Sequence, residues 1–406
     1  QTDVAPRYNA RDAAIYLAYL CNAKVILGTA TPSIETYYNA EQERYGLVEL
    51  TKRYLDLPLP EVHLINMSQD FKKKHGVYYI SNALKRAIQD SLDGENQIIL
   101  FQNRRGFAPI VQCNDCGWSP VCKLCDITLT YHKQIDNLKC HLCGFVNTVP
   151  ERCPECGSTH IKFGGLGTEK IEEEIQAMFP TARVARMDTD STRGKFSHQR
   201  IIESFENKEI DILVGTQMVS KGLDFDNVNL IGILDADSLR HFPEFRAFER
   251  AFQTITQIMG RAGRRENNGR VFLQTRNPKH PIIAMAVNGL FHDFYRVQKE
   301  ERLLFKYPPF YRLILLSVKH KNLEKTIVGA EELKKHLQQI KNIIILGPET
   351  PIYSRIRLYY IRNILIKVPR NQQHNATRAE IKSIISQFLS IKEYSSLRIV
   401  VDADPA

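Results

Sequence analysis

"DILVGTQMVSKGLDF", residues 211–225, decides how the rest of the chain is read. The apolar run Ile212, Leu213 and Val214 spells a short strand buried on both faces, as in the middle of a parallel sheet. The character then changes. Gly215, Thr216 and Gln217, followed by Lys221 and Gly222, offer backbone N–H groups, a hydroxyl and a cation, a set suited to phosphate. A glycine-bearing turn after any parallel strand would read the same way, so the neighbouring sequence has to decide.

Outward from this stretch the pattern alternates. "GTEKIEEEIQAMFP" predicts a helix, "ARVARMD" a strand, "HQRIIESFENKE" a helix, and "VNLIGILDAD" another strand. Upstream, "NALKRAIQDSLDGENQIILFQNRRG" predicts a helix with Leu84, Ile88 and Leu92 on one face and a stop at Gly94. A buried strand from Ile98 to Phe101 follows, then a basic loop with Arg104 and Arg105. Alternating strands and helices predict an α/β domain with a parallel sheet, its function carried by loops at the strand C-terminal ends.

Between these two blocks lie eight of the nine cysteines, as four C-x-x-C pairs: Cys113/Cys116, Cys122/Cys125, Cys140/Cys143 and Cys153/Cys156. Each pair is a tight turn aiming two sulfurs at one point, and two such turns make the four-thiolate cage zinc prefers. The segment "DITLTYHKQIDNLKC" alternates Ile127, Leu129 and Tyr131 before a polar turn, which predicts a hairpin. Folding it brings Cys122/Cys125 against Cys140/Cys143 and leaves Cys113/Cys116 for Cys153/Cys156, one site nested inside the loop of the other. A closed four-cysteine cage has no open position, so two structural Zn2+ are expected. Disulfides and redox pairs are the competing readings, disfavoured by a reducing compartment and by four pairs in a row. His132, His141 and His160 are read as surface residues, and Cys21 as a buried small hydrophobe. The zinc module is expected to project as a rigid partner-docking knob, with Trp118 exposed on it or packed within it.

Length and composition agree with several domains. A chain of 406 residues with 43% hydrophobic content predicts two or three, and the formal net charge of +10 favours an anionic partner, nucleic acid first. No apolar run approaches a membrane span and no signal peptide opens the chain, so a cytoplasmic protein with no membrane partner is expected.

"QIMGRAGRR", residues 257–265, is a second functional stretch. Phe252, Ile255 and Met259 predict a core-facing helix stripe, while Gln257, Arg261 and Arg264 fall at i, i+4 and i+7 on another face with no core duty. Gly260 and Gly263 suit a helix end that another surface approaches closely. A solvated arginine run would explain the charge but not the glycines. No phosphate-binding G-x-x-x-x-G-K-[ST] loop and no D-E-x-H run accompany it.

The last hundred residues read as βαββαβ, a ferredoxin-like order: "RLILLSVKH", "NLEKTIVGAEELKKHLQQIK", "NIIILG", "YYIRNILIKVP", "TRAEIKSIISQFL" and "LRIVVDADP". Within them Arg355, Arg357 and Arg362 interleave with Tyr353, Tyr359 and Tyr360, suited either to stacking on bases or to packing sheet-edge rings under basic stems.

"LGTATPS" (27–33), "ILFQNRRGFAP", "DILVGTQMVSKGLDF" and "QIMGRAGR", with the eight-cysteine block between the second and third, resemble the bacterial primosomal replication-restart helicases, the primosomal protein N′ family, within superfamily 2. The resemblance covers essentially the whole chain to the closing "RIVVDADP"; Leu223 stands where the family more often has histidine. It implies a C-terminal fragment lacking the Walker A loop and D-E-E-H box, inactive alone. It implies a RecA-like helicase lobe with an inserted two-zinc module and a ferredoxin-like α+β domain. Residues 1–55 would end helicase lobe 1, 56–110 and 158–300 form lobe 2, 111–157 the zinc insertion, and 301–406 a DNA-binding domain.

The same resemblance implies an ATP-dependent 3′ to 5′ DNA helicase that recognises stalled or branched forks and initiates primosome assembly. ATP with Mg2+ would meet Arg261 and Arg264, with Arg264 the arginine finger, Gln257 orienting them, and Gly222 and Asp224 near ribose or phosphate. Thr29, Ala30 and Thr31 would couple nucleotide state to DNA, and Arg104, Arg105, Thr216, Gln217 and Lys221 would touch the strand. Arg7, Tyr8 and Arg11 match a DNA-sensing segment or cap a surface helix. Implied partners are single-stranded and forked DNA, primosome proteins, single-stranded DNA-binding protein and the replicative helicase loading machinery. A non-enzymatic DNA-binding primosome scaffold and an RNA helicase are the alternatives.

Overall fold

Ile212–Gly215 is a strand with all four residues buried, and it lies inside a sheet. The computed structural model describes residues 8–52, 60–68, 79–102, 111–123, 128–132, 137–140, 144–163, 168–187, 197–216, 225, 227–240, 244–262, 269–351, 354–356, 359–371 and 374–405. In chain order, α1 (Ala10–Leu20) and α2 (Ile34–Glu41) precede β1 (Glu61–Asn66), α3 (Asn82–Asp93) and β2 (Gln97–Phe101). The cysteine-rich stretch holds β3 (Val111–Cys113), β4 (Thr130–His132), β5 (Asn137–Lys139), β6 (Val146–Thr148) and β7 (Ile161–Phe163). Then come α4 (Thr168–Met178), β8 (Val184–Met187), α5 (Ser197–Glu206), β9 (Ile212–Gly215), β10 (Val228–Ile233), α6 (Ala247–Met259), β11 (Arg270–Thr275), α7 (Pro281–Val287) and α8 (Phe291–Leu304). The chain closes with β12 (Tyr311–His320), α9 (Leu323–Leu337), β13 (Ile344–Glu349), β14 (Arg355–Ile356), β15 (Tyr359–Pro369), α10 (His374–Ser390) and β16 (Arg398–Ala403).

Six strands form one sheet in the order β1-β11-β10-β2-β9-β8, each neighbour parallel. Parallel strands are covered on both faces, which is why β2 and β9 are apolar without alternation. Leu84 and Ile88 of α3 join Ile171 and Ile175 of α4 on one face. Phe205 of α5, Phe252 and Ile255 of α6 and Phe294 of α8 fill the other. Each fully buried side chain of this size contributes about 1.5–3 kcal/mol. Helix α3 starts at Ser81, whose Oγ accepts the Leu84 N–H at 3.1 Å, and stops at Gly94 as its sequence predicts. The sequence reading assigns no element to residues 61–66, yet β1 runs beside β11 in register over its whole length, Glu61 against Arg270 through Asn66 against Thr275. As an edge strand it buries little, so its pattern carries a weak signal.

The C-terminal sheet has the antiparallel order β13-β15-β12-β16, the ferredoxin-like arrangement the element order predicts. Alternation along β12 divides its duties. Ile314, Leu316 and Val318 pack under Leu333 of α9 and Phe388 of α10, while Leu313 turns to the other face with Tyr307 and Leu365. Phe245, from the loop before α6, packs on that second face and so links the chain around the parallel sheet to the C-terminal sheet.

Three expectations need correction. Cys21 is exposed: it caps α1, a helix with no buried residue, so no core exists around it. The cysteine module is no free knob, since Phe145 and Val149 pack in one cluster with Phe245 and with Leu346 of β13. Gln257 and Arg261 do not share a continuous helix face, because α6 ends at Met259 and Gly260 caps it.

Candidate functional site

Helix α6 presents a polar face to the "TATPS" segment. Glu249, Gln253 and Gln257 recur every four residues, so they stack along one side of the helix. The Glu249 carboxylate accepts the Ile34 N–H at 3.1 Å, Gln253 Nε2 donates to the Thr31 carbonyl at 3.3 Å, and Gln257 Nε2 donates to Thr31 Oγ1 at 3.2 Å. Thr31 is buried, and Thr29 Oγ1 accepts its N–H at 3.1 Å. The opposite stripe does the core work expected of it, with Phe252, Ile255 and Met259 all buried. Arg261 lies one residue past the helix cap and is half-buried. Arg264 and Gly263 lie outside the described residues.

The C-terminal ends of the central strands share one edge of the sheet, as parallel order requires. Thr216 follows β9 and is buried, its N–H donating to the Met187 carbonyl at 3.3 Å. Gln217, Lys221, Gly222, Asp224, Arg104 and Arg105 lie outside the described residues, and so does Arg7. After β10, Asp237 is buried; its carboxylate accepts from Arg240 at 2.6 Å, Thr275 Oγ1 at 2.7 Å and the Arg276 N–H at 2.7 Å. Arg276 reaches on to Gln112 Oε1 at 2.7 Å, which ties the strand ends to the first cysteine turn.

In that turn the structure gathers Cys113, Cys116, Cys153 and Cys156, their sulfurs all within 4.8 Å of one another. Cys113 and Cys156 are 3.6 Å apart and Cys116 and Cys153 3.5 Å apart. A tetrahedron with Zn–S of about 2.3 Å places sulfurs about 3.8 Å apart, so the four thiols fit one zinc ion. Burial pushes the Cys116 and Cys153 thiols up, whereas at the exposed Cys156 partial desolvation is outweighed by the Ser158 N–H and neighbouring thiols, which hold it below its ordinary value. A divalent cation removes the cost of packing four thiolates together. The predicted hairpin is present as β4 against β5, with β6 completing a three-stranded meander. Cys122 and Cys140 are buried in its core; Cys125 and Cys143 lie outside the described residues, as do Ile127 and His141. His160 is exposed and pairs with Asp115 at 3.2 Å, and Trp118 is half-buried, its carbonyl accepting the Cys113 N–H at 2.8 Å.

A cleft of about 840 Å3 opens between α1, α2 and the C-terminal sheet, lined by Arg11, Arg250, Arg312, Arg370 and Tyr311 among others. Partial burial and the neighbouring Arg312 and Arg44 guanidiniums hold Arg370 below its ordinary value, which marks an excess of positive charge. Arg11 itself is occupied, donating to Ser33 Oγ at 2.8 Å and Thr36 Oγ1 at 2.6 Å, and so tying α1 to the start of α2. The aromatic-basic stretch resolves toward internal packing: Arg355 sits 4.8 Å over Tyr360 and Arg398 4.7 Å over Tyr359. Tyr353 and Arg357 lie outside the described residues.

Two features escape sequence reasoning. Lys139 of β5 pairs at 2.5 Å with Glu349 of β13, a carboxylate 8% exposed. Arg302 of α8, 2% exposed, pairs with Glu35 at 3.0 Å and with Glu249. Neither sits in a recognisable motif, and only the spacing of Arg302 from Phe294, Tyr295 and Gln298, which places a charge on the buried face of α8, could have drawn attention to it. Among the described residues no helix is long and apolar enough to cross a membrane.

Comparison with known proteins bears on this geometry. Residues 167–266 match the helicase conserved C-terminal domain, 122–147 the PriA DNA helicase Cys-rich region domain, and 304–406 the primosomal protein N C-terminal domain. The replication restart protein PriA of Bacillus subtilis is 38% identical over 402 residues, covering 98% of this chain and 49% of that protein. Its namesakes in Synechocystis and Chlamydia trachomatis are 37% and 36% identical, each covering 100% of this chain and 49% and 54% of those proteins. The chain thus spans about half the length of the curated relatives it matches. Among solved structures, Saccharomyces cerevisiae Dbp5 bound to RNA and ADP BeF3 aligns with a TM-score of 0.33 at 11% identity, covering 74% of this chain and 60% of that one.

Proposed function

The chain belongs to the PriA family of replication restart proteins, and from that membership we propose that the full-length protein is an ATP-dependent 3′ to 5′ DNA helicase acting at stalled or branched replication forks. The observation that carries this reading is the bond between Gln257 and Thr31, which joins the "QIMGRAGR" and "TAT" segments side chain to side chain. A helicase couples phosphate chemistry to strand movement, and a rigid helix touching both segments is the part such coupling needs.

In this reading residues 1–55 end the first lobe, 56–110 and 158–300 form the second around the parallel sheet, 111–157 is the metal-binding insertion, and 301–406 is the terminal DNA-binding domain. Arg261 and Arg264 face the nucleotide phosphates, Arg264 as the finger, with Gln257 orienting them and Gly222 and Asp224 nearby. Arg104, Arg105, Thr216, Gln217 and Lys221 contact the strand, an assignment supported by the place of Thr216 at the C-terminal end of β9 and by the order of the sequence, in which the others follow β2 or β9. Two zinc ions are structural: one in the Cys113, Cys116, Cys153 and Cys156 cage, the other between Cys122, Cys125, Cys140 and Cys143. The arginine-rich cleft and the net charge of +10 favour a polyanionic partner. Primosome proteins, single-stranded DNA-binding protein and the replicative helicase loading machinery are the protein partners this role entails.

ATP hydrolysis by the full-length protein, with forked DNA, with an RNA duplex and with neither, tests the proposal. DNA-stimulated hydrolysis that falls on the order of 10³-fold or more in Arg264→Ala is expected of an arginine finger. Hydrolysis unchanged in that variant removes the finger assignment, and stimulation by the RNA duplex alone removes the DNA assignment.

A further inference from the structure

A buried arginine joins the parts of this molecule that the proposed reaction uses. Arg302 lies on α8, 2% exposed, and its guanidinium makes bonds in three directions. Nη1 donates to Glu35 Oε1 at 3.0 Å and to the Pro308 carbonyl at 3.2 Å, and Nη2 donates to Glu249 Oε2. Glu35 opens α2, immediately after the "TATPS" segment. Glu249 opens the polar face of α6 that holds Ile34 and, through Gln253 and Gln257, Thr31. Pro308 leads into β12 of the C-terminal sheet. Arg246 completes the cluster, bonded to Glu35 and 3.9 Å from Glu249.

Stability alone is a poor reason for such a cluster. Two arginines and two glutamates removed from water recover in mutual attraction about what they lose in hydration, and apolar side chains of equal volume would serve the core as well or better. Arg302 Nε has no acceptor among the described residues, a further cost. What the cluster does provide is direction. A guanidinium holds its acceptors at fixed angles in one plane, so the α2 start, the α6 start and the entry to β12 cannot shift independently.

We propose that Arg302 is a positioning residue that transmits the placement of the C-terminal domain to the "TAT" segment and to the phosphate-facing end of α6. This rests on the helicase reading above. A shift of the C-terminal domain on nucleic acid moves the Pro308 carbonyl, and Arg302 passes that shift to Glu35 and Glu249 together. The three-step ladder of Glu249, Gln253 and Gln257 carries it along α6 to Thr31. Tyr295 and Lys299, two turns and one turn earlier on α8, anchor the far end of α2 by bonds of 2.7 Å each to Glu41, so α2 is held to α8 at both ends.

The test uses the full-length protein, wild type, Arg302→Gln and Arg302→Lys, with a forked DNA bearing one single-stranded arm. One arm of the experiment reads the ratio of fork-stimulated to basal ATP hydrolysis alongside the dissociation constant for the fork. The other reads amide exchange of residues 29–36 with and without the fork. The expected result is a stimulation ratio lowered about tenfold in Arg302→Gln, within the usual span of coupling between sites, with fork affinity altered far less. Arg302→Lys, which keeps the charge but cannot hold three acceptors in one plane, falls between. Fork binding changes exchange at residues 29–36 in wild type and not in Arg302→Gln. A ratio equal to wild type in both variants overturns the proposal, and so does wild-type exchange at residues 29–36 that ignores the fork. Absence of ATP hydrolysis in wild type defeats the helicase reading instead, while the exchange arm still judges the joint. If Arg302→Gln does not fold, Arg302→Lys carries both arms.

Discussion

Lys139 of the cysteine module and Glu349 of the C-terminal sheet meet at 2.5 Å, with the carboxylate only 8% exposed and also accepting the Thr350 N–H at 2.9 Å. Gly144, with φ of +78°, lies directly against the same carboxylate, where any Cβ would overlap it. The module is therefore keyed to the terminal domain through a charge pair and a glycine that permits close approach.

Breaking the pair has an unequal effect on its two ends. Lys139→Met strands a buried carboxylate, and such losses cost about 3 kcal/mol or more. Glu349→Gln leaves an amide that still accepts from Thr350 and frees a lysine that is 23% exposed and can hydrate, so its cost is smaller. Chemical denaturation of both variants checks the order; equal destabilisation would show that the pair is not desolvated as drawn.

The proposed nesting of two cages makes a prediction about metal counts. Wild type is expected to bind two zinc ions per chain, and Cys156→Ser, at the exposed corner of the first cage, one. The double variant Cys113→Ser/Cys153→Ser removes two ligands of a single cage and should still hold one ion, whereas Cys113→Ser/Cys140→Ser should hold none. Metal analysis of the purified chains decides, and zero zinc in the first double variant would sink the pairing.

Much of this was legible in the sequence, and what was not has a common cause. The buried runs of β2 and β9 and the stripe of α3 announce themselves because one residue type fills one face. The first cage was legible because the hairpin of β4 and β5 takes the two middle pairs and leaves Cys113/Cys116 for Cys153/Cys156. Glu61–Asn66 was missed as an edge strand, and Cys21 was misjudged because a cysteine's burial depends on what its helix packs against. The run from Gln257 to Arg264 was read as one helical face because sequence spacing gives periodicity but not the residue where a helix ends. Lys139 with Glu349, and Arg302 with Glu35, are long-range pairs of common residues, which no local pattern marks.

His280 predicts an acid-sensitive step in stability. It caps α7 by accepting the Ile282 N–H on Nδ1 at 3.3 Å, and burial together with the nearby Arg240 lowers its pKa to about 3. A histidine depressed in the folded state binds its proton more readily when unfolded. Stability is therefore full above the ordinary value of 6.5 and falls as pH drops toward 3. At about pH 5 the loss amounts to roughly 2 kcal/mol from this one group. His280→Asn retains a capping acceptor and removes the titration, so the gap between wild-type and variant unfolding free energies should narrow between pH 7 and 5. A constant gap would mean that His280 is hydrated.

Gly232 tests how tightly the central sheet is packed. It lies in β10 where a Cβ would stand 2.7 Å from Leu100 Cδ2 and 3.2 Å from Leu84 Cδ2, both fully buried. Gly232→Ala should destabilise by about 1–3 kcal/mol through overpacking. Adding Leu84→Ala to it should cost less than the sum of the two single changes, because the cavity left by one accepts the methyl of the other. Strict additivity in thermal or denaturant unfolding would show that β10 moves away instead.

Thr31 gives the most direct test of the contact on which the functional reading rests. Its hydroxyl accepts from Gln257 while its carbonyl accepts from Gln253, so Thr31→Val removes one bond and leaves the backbone contact in place. Loss of a single buried acceptor costs stability only about 1 kcal/mol, so the folded population stays high. Thr31→Ser keeps the acceptor, and Gln257→Glu keeps the reach but presents a carboxylate to a hydroxyl that can rotate to donate. If the bond couples the two segments, fork-stimulated hydrolysis in the full-length protein falls in Thr31→Val, is retained in Thr31→Ser, and the Thr31→Val/Gln257→Ala pair loses no more than the worse of its single variants. Losses that simply multiply would mean that the two residues act independently, and the 3.2 Å contact would then be packing between neighbours and no part of the machinery.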